Sequence, residues 1–392
     1  MKLLYIISST SPFGGSSLAF MRLALNLKSK WNIDMLVACP TKNGIYYDLI
    51  RLGISVKVIP HRYHTYPPHQ RVRDLFLFFP KLLLHFIINM IACFRLFVLA
   101  IHYHPNIIHS NVGVINIGYL VAKLLNIPHI YHLREYQDLD FHMTIIPSLD
   151  NYKSKLKSKG NYCICITKGI QSYFDLNQDN SVVIYDGVKE VSAISFDEKK
   201  KPYFLFVGRL QESKGIEVII KTFADYLAMG KKQDYELWIA GFPISTAYEL
   251  KLKKLVKILG IEDHVRFLGV RNDTGTLMKC ATALIIASNF EAFGLVTAEA
   301  MFNGCLVIGK DIAGTKEQFD NGLQYQGEEI ALRFENSDEL RDLLVDITDG
   351  GIEPYYPMIL RGQKTVQELY SIETNVKQVY EYYLKILNFH NE

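Results

Sequence analysis

Two carboxylates, Glu291 and Glu299, follow an apolar and β-branched run that has the composition of a buried strand. The chain passes from this run through a glycine-containing turn into a helical pattern, so we predict a helix that begins near Phe293 or Gly294. The amides of Phe293, Gly294 and Leu295 would then lie at the helix start, where free N–H groups and the helix dipole attract phosphate or sugar oxygens. A carboxylate at the mouth of this helix and a second one within it suit the recognition of hydroxyl groups beside an anion.

Two cations, Arg209 and Lys214, lie between a predicted strand and a predicted helix in the segment FVGRLQESKG. Cations beside backbone amides at such a position suit a diphosphate, whereas the alternative is an ordinary exposed loop. A second interpretation of the acids makes Glu291 and Glu299 the acid and the nucleophile of a retaining glycosidase, whose carboxyl groups lie about 5–5.5 Å apart. That interpretation leaves Arg209 and Lys214 without a role.

Strands alternate with helix-length segments along the whole chain, and this alternation predicts βαβ units with parallel sheets that are covered on both faces. The polar segment EVSAISFDEKKKP interrupts the series, and we place a domain boundary there. We therefore predict two Rossmann-like, doubly wound α/β domains, residues 1–197 and 198–370, that face each other across a cleft. An amphipathic helix at 371–392 would cross back to the N-terminal domain. Ligands of such sheets bind at the carboxyl ends of the strands.

The composition, with 49% hydrophobic and 21% charged residues, is that of a folded globular protein. The six cysteines lie mostly in apolar runs, so we interpret them as reduced core thiols of a cytosolic protein. The first residues become polar after a short apolar start and predict no signal peptide. Residues 1–200 carry nine more basic than acidic residues, whereas residues 201–392 carry six more acidic ones. We therefore expect the N-terminal half to face an anionic surface.

The most hydrophobic segment, residues 74–101, has two interpretations: a pair of buried helices, or an exposed apolar surface in a membrane interface. Its longest stretch without a charged residue has 13 residues, between Lys81 and Arg95, whereas a membrane-spanning helix needs about 20. Because Pro80 also precedes this stretch, we expect no transmembrane span. Basic and aromatic residues at 61–73 favour contact with a membrane surface.

Several motifs occur in an order that is typical of one large enzyme family. They are Gly14-Gly15, VIYDGV, FVGRLQESKG, IAG, VRFLGVRND, SNFEAFGLVTAEAM and GTKE. Together they resemble the GT-B-fold retaining glycosyltransferases of family 4, over nearly the whole chain. The most specific parts are the two glutamates with seven residues between them and the Gly-Arg-Leu…Lys-Gly element, whereas the glycine pair alone would be unspecific.

The resemblance implies transfer of a sugar from a nucleoside diphosphate sugar with retention at the anomeric carbon. On this interpretation Arg209 and Lys214 bind the leaving diphosphate, and Glu291 holds hydroxyl groups of the donor sugar. The amides from Phe293 to Leu295 would contact sugar or phosphate. Glu299 would bind the hydroxyl groups of the ribose.

The resemblance also implies roles for three other parts of the chain. The backbone from Leu268 to Arg271 would pass beside the base. Gly14 and Gly15 would let the N-terminal loop approach the phosphates, because a side chain there would block the approach. His132, which follows a predicted strand, would lie near the transferred sugar.

The sequence departs from the family's pattern at three places. Asp186 stands where the family usually has Asn. Arg134 and Glu135 follow His132 and are candidates for contacts with donor or acceptor. Glu317 is a weaker assignment, because the segment after it lacks the usual glycine-rich ending.

The resemblance implies an enzyme that needs neither a cofactor nor a metal. We interpret the one Asp-x-Asp element, Asp138–Asp140, as a solvated or capping pair and not as a Mn²⁺ site. The co-substrate would be a nucleoside diphosphate sugar, with a UDP-sugar favoured. The acceptor would be a glycan or a lipid-linked oligosaccharide in the assembly of a bacterial capsule or exopolysaccharide. We expect a cytoplasmic protein, peripheral on the inner face of the membrane, without a nucleic-acid partner.

Two other functions stay open at this point. A nucleotide-sugar epimerase shares the two-domain architecture and would give a product of unchanged mass without an acceptor. The non-enzymatic alternative is a membrane-associated partner protein with an inactive transferase fold. Such a scaffold, however, would have no reason to keep a phosphate site.

Overall fold

The chain folds into two compact units, one formed by the N-terminal half with the C-terminal helix and the other by the residues between them. The computed structural model describes residues 1–12, 14–66, 72–230 and 234–391. Both units are parallel α/β sheets, as predicted.

The N-terminal unit contains a seven-stranded parallel sheet in the order β3-β2-β1-β5-β6-β8-β9, and β4 and β7 form a separate antiparallel pair. The central strands β1, β5 and β6 are almost continuously buried, which is typical of a parallel sheet with helices on both faces. The elements are β1 (Lys2–Ile6), α1 (Gly15–Trp31), β2 (Asp34–Cys39), α2 (Ile45–Arg51), β3 (Ser55–Val58), β4 (Thr65–Tyr66), α3 (Val72–Tyr103), β5 (Ile107–Ser110), α4 (Ile117–Leu125), β6 (His129–Leu133), α5 (Asp138–Phe141), β7 (Thr144–Ile145), α6 (Leu149–Leu156), β8 (Asn161–Cys165), α7 (Lys168–Tyr173) and β9 (Ser181–Val183).

The C-terminal unit contains a six-stranded parallel sheet in the order β12-β11-β10-β13-β14-β15. The order reverses between β10 and β13, and a doubly wound sheet binds its ligand at such a point. The elements are β10 (Lys201–Val207), α8 (Ile216–Ala228), β11 (Glu236–Ala240), α9 (Thr246–Ile258), β12 (Val265–Gly269), α10 (Thr274–Cys280), β13 (Ala281–Ile286), α11 (Leu295–Phe302), β14 (Leu306–Lys310), α12 (Ala313–Gln326), β15 (Leu332–Phe334), α13 (Ser337–Gly350) and α14 (Tyr356–Tyr370).

The boundary between the units follows Gly187, ten residues before the predicted boundary at 197/198. The polar segment that predicted a linker packs on the C-terminal unit, since Ser195 N donates to Phe302 O at 3.1 Å. The last helix, α15 (Ile372–Asn391), belongs to the N-terminal unit. Its residues Val376 and Tyr383 lie in the core of that unit.

The hydrophobic segment at 74–101 lies within one continuous helix, α3, so the interpretation as a pair of buried helices is wrong. The part Phe76–Tyr103 is long and apolar enough to cross a membrane by length and composition, so the 13-residue limit was not a valid objection to a span. Most of its large apolar side chains are exposed, as in the second interpretation. Of the basic and aromatic stretch at 61–73, residues 67–71 lie outside the described part.

Candidate active site

The carboxyl ends of three neighbouring strands in the C-terminal unit are tied together through glycine backbones. Gly208 N, after β10, donates to Ala240 O at 3.0 Å, and Gly241 N donates to Gly269 O at 2.8 Å. A Cβ on Gly241, whose φ is 153°, would come within 1.7 Å of Gly208 O. Only glycine allows this approach, which fixes the position of the loop that carries Arg209.

The two loops on either side of the reversal in strand order, which carry the predicted cations and acids, are joined directly. Asn289 N, after β13, donates to Ser213 O, after β10, at 2.9 Å. Gly215 has a φ of 68°, and a Cβ there would come 2.0 Å from Ala287 O. The sheet therefore brings together the Gly-Arg-Leu…Lys-Gly element and the segment with the two glutamates, which are far apart in the sequence.

Lys214 and Glu291 form an ion pair at this junction, and each side chain is about one-fifth exposed (17% and 20%). Ser288 Oγ also donates to Glu291 Oε1, at 2.7 Å. The pair fixes the carboxylate while both groups stay in reach of a ligand.

Arg209 is half-buried and lies at the start of the loop that also carries Lys214. Among the residues that the structure describes, its guanidinium has no hydrogen-bond or ion-pair partner. A half-buried cation without a counter-charge favours the binding of an anion. Of the two predicted cations, Arg209 is thus the one whose charge is uncompensated.

Helix α11 begins at Leu295, one or two residues later than predicted. Gly294 precedes it with a φ of 88°, and the Phe293 amide therefore lies in the loop before the helix. Glu299 is half-buried in the second turn of the helix. Thus the amides of Leu295 and Val296 start the helix.

Two residues of α12 that the sequence did not identify hold the loop before α11. Gln318 is buried, and its Nε2 donates to Gly294 O at 3.0 Å as well as to Phe293 O. Gly314 N donates to Glu291 O at 2.9 Å, and a Cβ on Gly314 would come 2.6 Å from Ala292 O. The GTKE motif contained the signal for Gly314, whereas nothing in the sequence pointed to Gln318.

The segment Leu268 to Arg271 comprises the last two residues of β12 and the first two after it, on the far side of β11 from the Lys214–Glu291 pair. Arg271 is exposed and pairs with Asp273, Nε to Oδ1 at 2.8 Å. A small open cavity of about 420 Å³ lies between residues 270 and 273. The Arg271 charge is therefore shared with a neighbouring acid.

In the N-terminal unit the glycine pair begins α1, after β1. Gly15 is the first residue of the helix, and Gly14 precedes it with a φ of −83°. A Cβ on Gly14 would meet only ordinary contacts, the nearest being Ser17 Oγ at 3.5 Å. The described part of the protein thus does not itself require glycine at position 14.

His132 lies at the end of β6 and is fully buried. Its Nδ1 lies 3.3 Å from the Arg134 Nη2, and its Nε2 lies 3.9 Å from Asp186 Oδ1. Since a guanidinium only donates, His132 Nδ1 accepts, and the proton of the neutral ring is on Nε2. Burial first, then the charges of Arg134 and His109, hold the pKa of His132 well below its usual value.

The two departures from the family's pattern in this unit are partners of each other. Arg134 and Asp186 form a buried ion pair, and Arg134 Nε also donates to Asn111 O at 3.2 Å. Arg134 is therefore occupied within the core, which weakens the hypothesis that it contacts a ligand. Glu135 accepts from Gln137 Nε2 at 2.6 Å.

The Asp138–Asp140 element has a capping role. Asp140 accepts from the backbone amides of Tyr136 at 2.9 Å and Gln137 at 2.6 Å, which begins α5. Asp138 accepts a hydrogen bond from the Tyr173 hydroxyl. In the described ranges, no group of three or more His, Cys, Asp or Glu residues is placed to hold a metal ion.

Residues 188–348 match the family model for glycosyl transferases group 1. The matched segment covers about two-fifths of the chain and most of the C-terminal unit. An uncharacterized glycosyltransferase of Methanocaldococcus jannaschii is 30% identical over 230 residues, which are 54% of this chain and 56% of that relative. This chain therefore matches only about half the length of that curated relative.

Two solved structures are similar to this chain over nearly its full length. Anabaena Alr3699/HepE in complex with UDP has a TM-score of 0.78 at 19% identity, and the match covers 98% of this chain and 100% of that one. The apo form of the lipopolysaccharide outer core galactosyltransferase WaaB has a TM-score of 0.69 at 18% identity and covers 100% of both chains. These similarities show that the fold is GT-B, as predicted.

Proposed function

We propose that the protein is a retaining glycosyltransferase that moves a sugar from a nucleoside diphosphate sugar, most favourably a UDP-sugar, to a hydroxyl group of a glycan or lipid-linked acceptor. The observation that carries this proposal is the junction of the two loops at the reversal in strand order. It combines the uncompensated Arg209, the Lys214–Glu291 pair and the start of α11.

This junction fits the charges of the reaction. As the bond between the anomeric carbon and the diphosphate breaks, negative charge develops on the leaving diphosphate, and Arg209 and Lys214 with the helix start stabilise it. Glu291, fixed by Ser288 and Lys214, holds donor hydroxyl groups. The acceptor oxygen bonds to the anomeric carbon on the same face, and its proton passes to the departing phosphate oxygen. None of these steps needs a protein nucleophile.

The other implied contacts complete the donor site. Glu299, in the second turn of α11, binds the ribose hydroxyl groups, and the backbone near Leu268 and Gly269 lies beside the base. The role near the sugar that the family resemblance implies for His132 stays a prediction. The chain requires no metal on this account, because fixed cations stabilise the leaving group.

Support for a UDP-sugar comes from the similar Anabaena protein, which has also been crystallised with UDP-glucose. Support for a surface-polysaccharide acceptor comes from WaaB, which is described as a lipopolysaccharide outer core galactosyltransferase. The basic and apolar N-terminal unit fits an acceptor at the cytoplasmic face of a membrane. We therefore place the protein in bacterial surface-polysaccharide assembly, peripheral to the inner face of the membrane.

The test is a panel of UDP-, GDP- and dTDP-sugars, incubated with the full chain and lipid-linked acceptors in EDTA, with the released nucleoside diphosphate measured. We expect the release of one class of nucleoside diphosphate. The acceptor should gain one sugar, whose anomeric configuration (α or β) is the same as in the donor. A product of unchanged donor mass would identify an epimerase instead. Activity that is lost in EDTA and restored by Mn²⁺ would contradict the metal-independent mechanism.

A further inference from the structure

The first half of α3 projects from the N-terminal unit. None of the side chains at 76–91 is buried, whereas Ala92, Leu96 and Ala100 of the second half lie in the core. The exposed large apolar residues of the helix are Phe76, Phe79, Leu83, Leu84, Phe86, Ile87, Met90, Ile91, Phe94, Val98 and Ile101. An apolar surface of this extent marks a site of interaction with a protein or a membrane.

An open apolar groove of about 1270 Å³ runs beside the projecting half of α3. One wall is α3 itself, with Phe86 and Met90, and the opposite wall is α4, with Leu120 and Leu124. The segment at 63–65 closes one side. The groove is larger than the 300–1,000 Å³ of typical small-molecule sites, and its walls are formed mainly by hydrocarbon side chains.

Cations lie at the edges of the groove, and the acid Glu135 lies near its Tyr63 side. The sequence contains no Asp or Glu between Asp74 and Glu135. Arg62 lies beside the groove, because its backbone exchanges hydrogen bonds of 2.8 and 3.1 Å with the side chain of Asn89 in the groove wall. Lys81 lies between Pro80 and Leu82, which both line the groove. This arrangement complements an anionic surface.

A cation also reaches the groove at the α4 side. Asn116, which lines the groove, accepts a hydrogen bond from Lys155 Nζ at 2.8 Å. Hydrocarbon walls with cations at their edges match the layering of a lipid leaflet, in which acyl chains lie below anionic headgroups.

We propose that the projecting half of α3 and the groove between α3 and α4 insert into a lipid leaflet with anionic headgroups. This inference rests on the proposed function, for which it supplies the element that brings the enzyme to a lipid-linked acceptor. The acyl chains of the leaflet fill the groove, and Arg62 and Lys81 contact the headgroups.

Two other arrangements fit the structure less well. A spanning helix needs about 20 apolar residues, whereas the 16 residues at 76–91 are about 24 Å long and the following turns are held in the core. A symmetric dimer through α3 would bring equal surfaces together and would place Lys81 and Arg95 of one copy near the same cations of the other. A leaflet covers the exposed face without either conflict.

Flotation of the full chain with vesicles tests the proposal directly. We compare pure phosphatidylcholine with vesicles that contain roughly 30 mol% phosphatidylglycerol. The variant Phe86→Glu/Met90→Glu should bind the anionic vesicles at least about tenfold more weakly, because each side chain loses its burial in hydrocarbon. The matched control is Leu250→Glu/Ile258→Glu in α9, whose side chains are exposed to a similar degree (61% and 70% against 61% and 58%). The control should bind like the original chain.

Lys81→Glu separates the electrostatic part of binding from the apolar part. It should weaken binding to anionic vesicles several-fold and leave binding to phosphatidylcholine unchanged. Thermal unfolding and circular dichroism of every variant check that the fold is kept. Phe86→Trp should be quenched by lipids brominated on the upper acyl chain.

The proposal is overturned if the original chain does not float, or if both double variants float equally well. Light scattering that gives a dimer, abolished by Phe86→Glu/Met90→Glu, would assign the surface to a second copy. Quenching strongest at the centre of the bilayer would indicate a span. Calorimetric binding of the released nucleoside diphosphate is measured separately, so that loss of donor binding and loss of lipid binding count against different proposals.

Discussion

The two units differ in the exposure and pairing of the charged side chains near their strand ends. In the C-terminal unit the charges at the strand ends stay partly exposed: Lys214 and Glu291 are each about one-fifth accessible, and Arg209 is half-buried. In the N-terminal unit Arg134 and Asp186 are buried and compensate each other. Partly exposed charges can exchange a protein partner for a ligand at low cost, whereas a buried pair is held by the cost of leaving one charge unpaired. The first arrangement suits binding, and the second one fixes the core around His132.

Lowering the pH should have the largest effect, because it should destabilise the N-terminal unit more than the C-terminal unit. His109, His129 and His132 are fully buried in the N-terminal unit, and burial holds the pKa of His129 at about 4 and those of the other two well below 6.5. The unfolded chain therefore binds more protons than the folded one below pH 6.5, and stability falls as the pH is lowered. At pH 5 each histidine should cost up to about 2 kcal/mol. Unfolding of the N-terminal unit should begin near pH 5.

The two tryptophans report on the units separately. Trp31 stacks on Tyr380 in the N-terminal unit, and Trp238 stacks on Tyr203 in the C-terminal one. With Trp31→Phe and Trp238→Phe as single-tryptophan variants, the Trp31 signal should change at a higher pH than the Trp238 signal. Transitions at the same pH would contradict the difference between the units.

The buried Arg134–Asp186 pair gives the next largest effect. Asp186→Asn introduces the residue that the family resemblance leads us to expect at this position, but it leaves Arg134 buried without its counter-charge. We expect a loss of about 3–5 kcal/mol in the free energy of unfolding, measured by urea denaturation. Asp175→Asn, which breaks the exposed pair with Lys153, should change stability little. Equal changes in the free energy of unfolding would show that the buried pair contributes no more to stability than the exposed one.

Arg209→Ala tests the other side of the comparison. It should lower kcat/KM by about 10²–10³, the usual effect of removing one group that stabilises developing negative charge, with little change in stability. Lys214→Ala should lower it in the same direction. Arg341→Ala, in α13 and paired with Asp338 and Asp342, is the matched control and should keep full activity. Near-normal turnover of both Arg209→Ala and Lys214→Ala would remove these cations from the mechanism.

Gly14→Ala should have the smallest effect. A Cβ fits at this position, since its nearest neighbour would be Ser17 Oγ at 3.5 Å, so stability should change by less than about 1 kcal/mol. If a ligand approaches this backbone, the added methyl group should raise the donor KM about tenfold. An unchanged KM would show that Gly14 does not contact the donor.

The parts of the fold that the sequence could predict are those with a local signal. β10 and β13 are mostly apolar runs, and Lys214 follows the first and Glu291 the second within a few residues. Placing both residues after strand ends therefore needed only the alternation of strands and helices. Their contact follows from the strand order, which puts β10 next to β13. Periodicity cannot give that order.

Long-range packing explains what the sequence could not predict. Gln318 binds the loop before α11 from a different helix, and Arg134 meets Asp186 across 52 positions of the sequence. The interpretation of residues 74–101 as two helices failed for a local reason: Pro80, Lys81 and Arg95 interrupt the apolar run, but each lies at an exposed position of the continuous helix α3. Charged residues at exposed positions do not end a helix.

The central claim is that the joined loops of the C-terminal unit bind the nucleoside diphosphate part of the donor. Hydrogen–deuterium exchange of the full chain, with and without the nucleoside diphosphate released from the accepted sugar donor, tests it most directly. Binding should slow exchange in residues 206–215 and 288–300, and Arg209→Ala should abolish that protection. Calorimetric binding of the nucleotide with unchanged exchange in both loops would contradict the account.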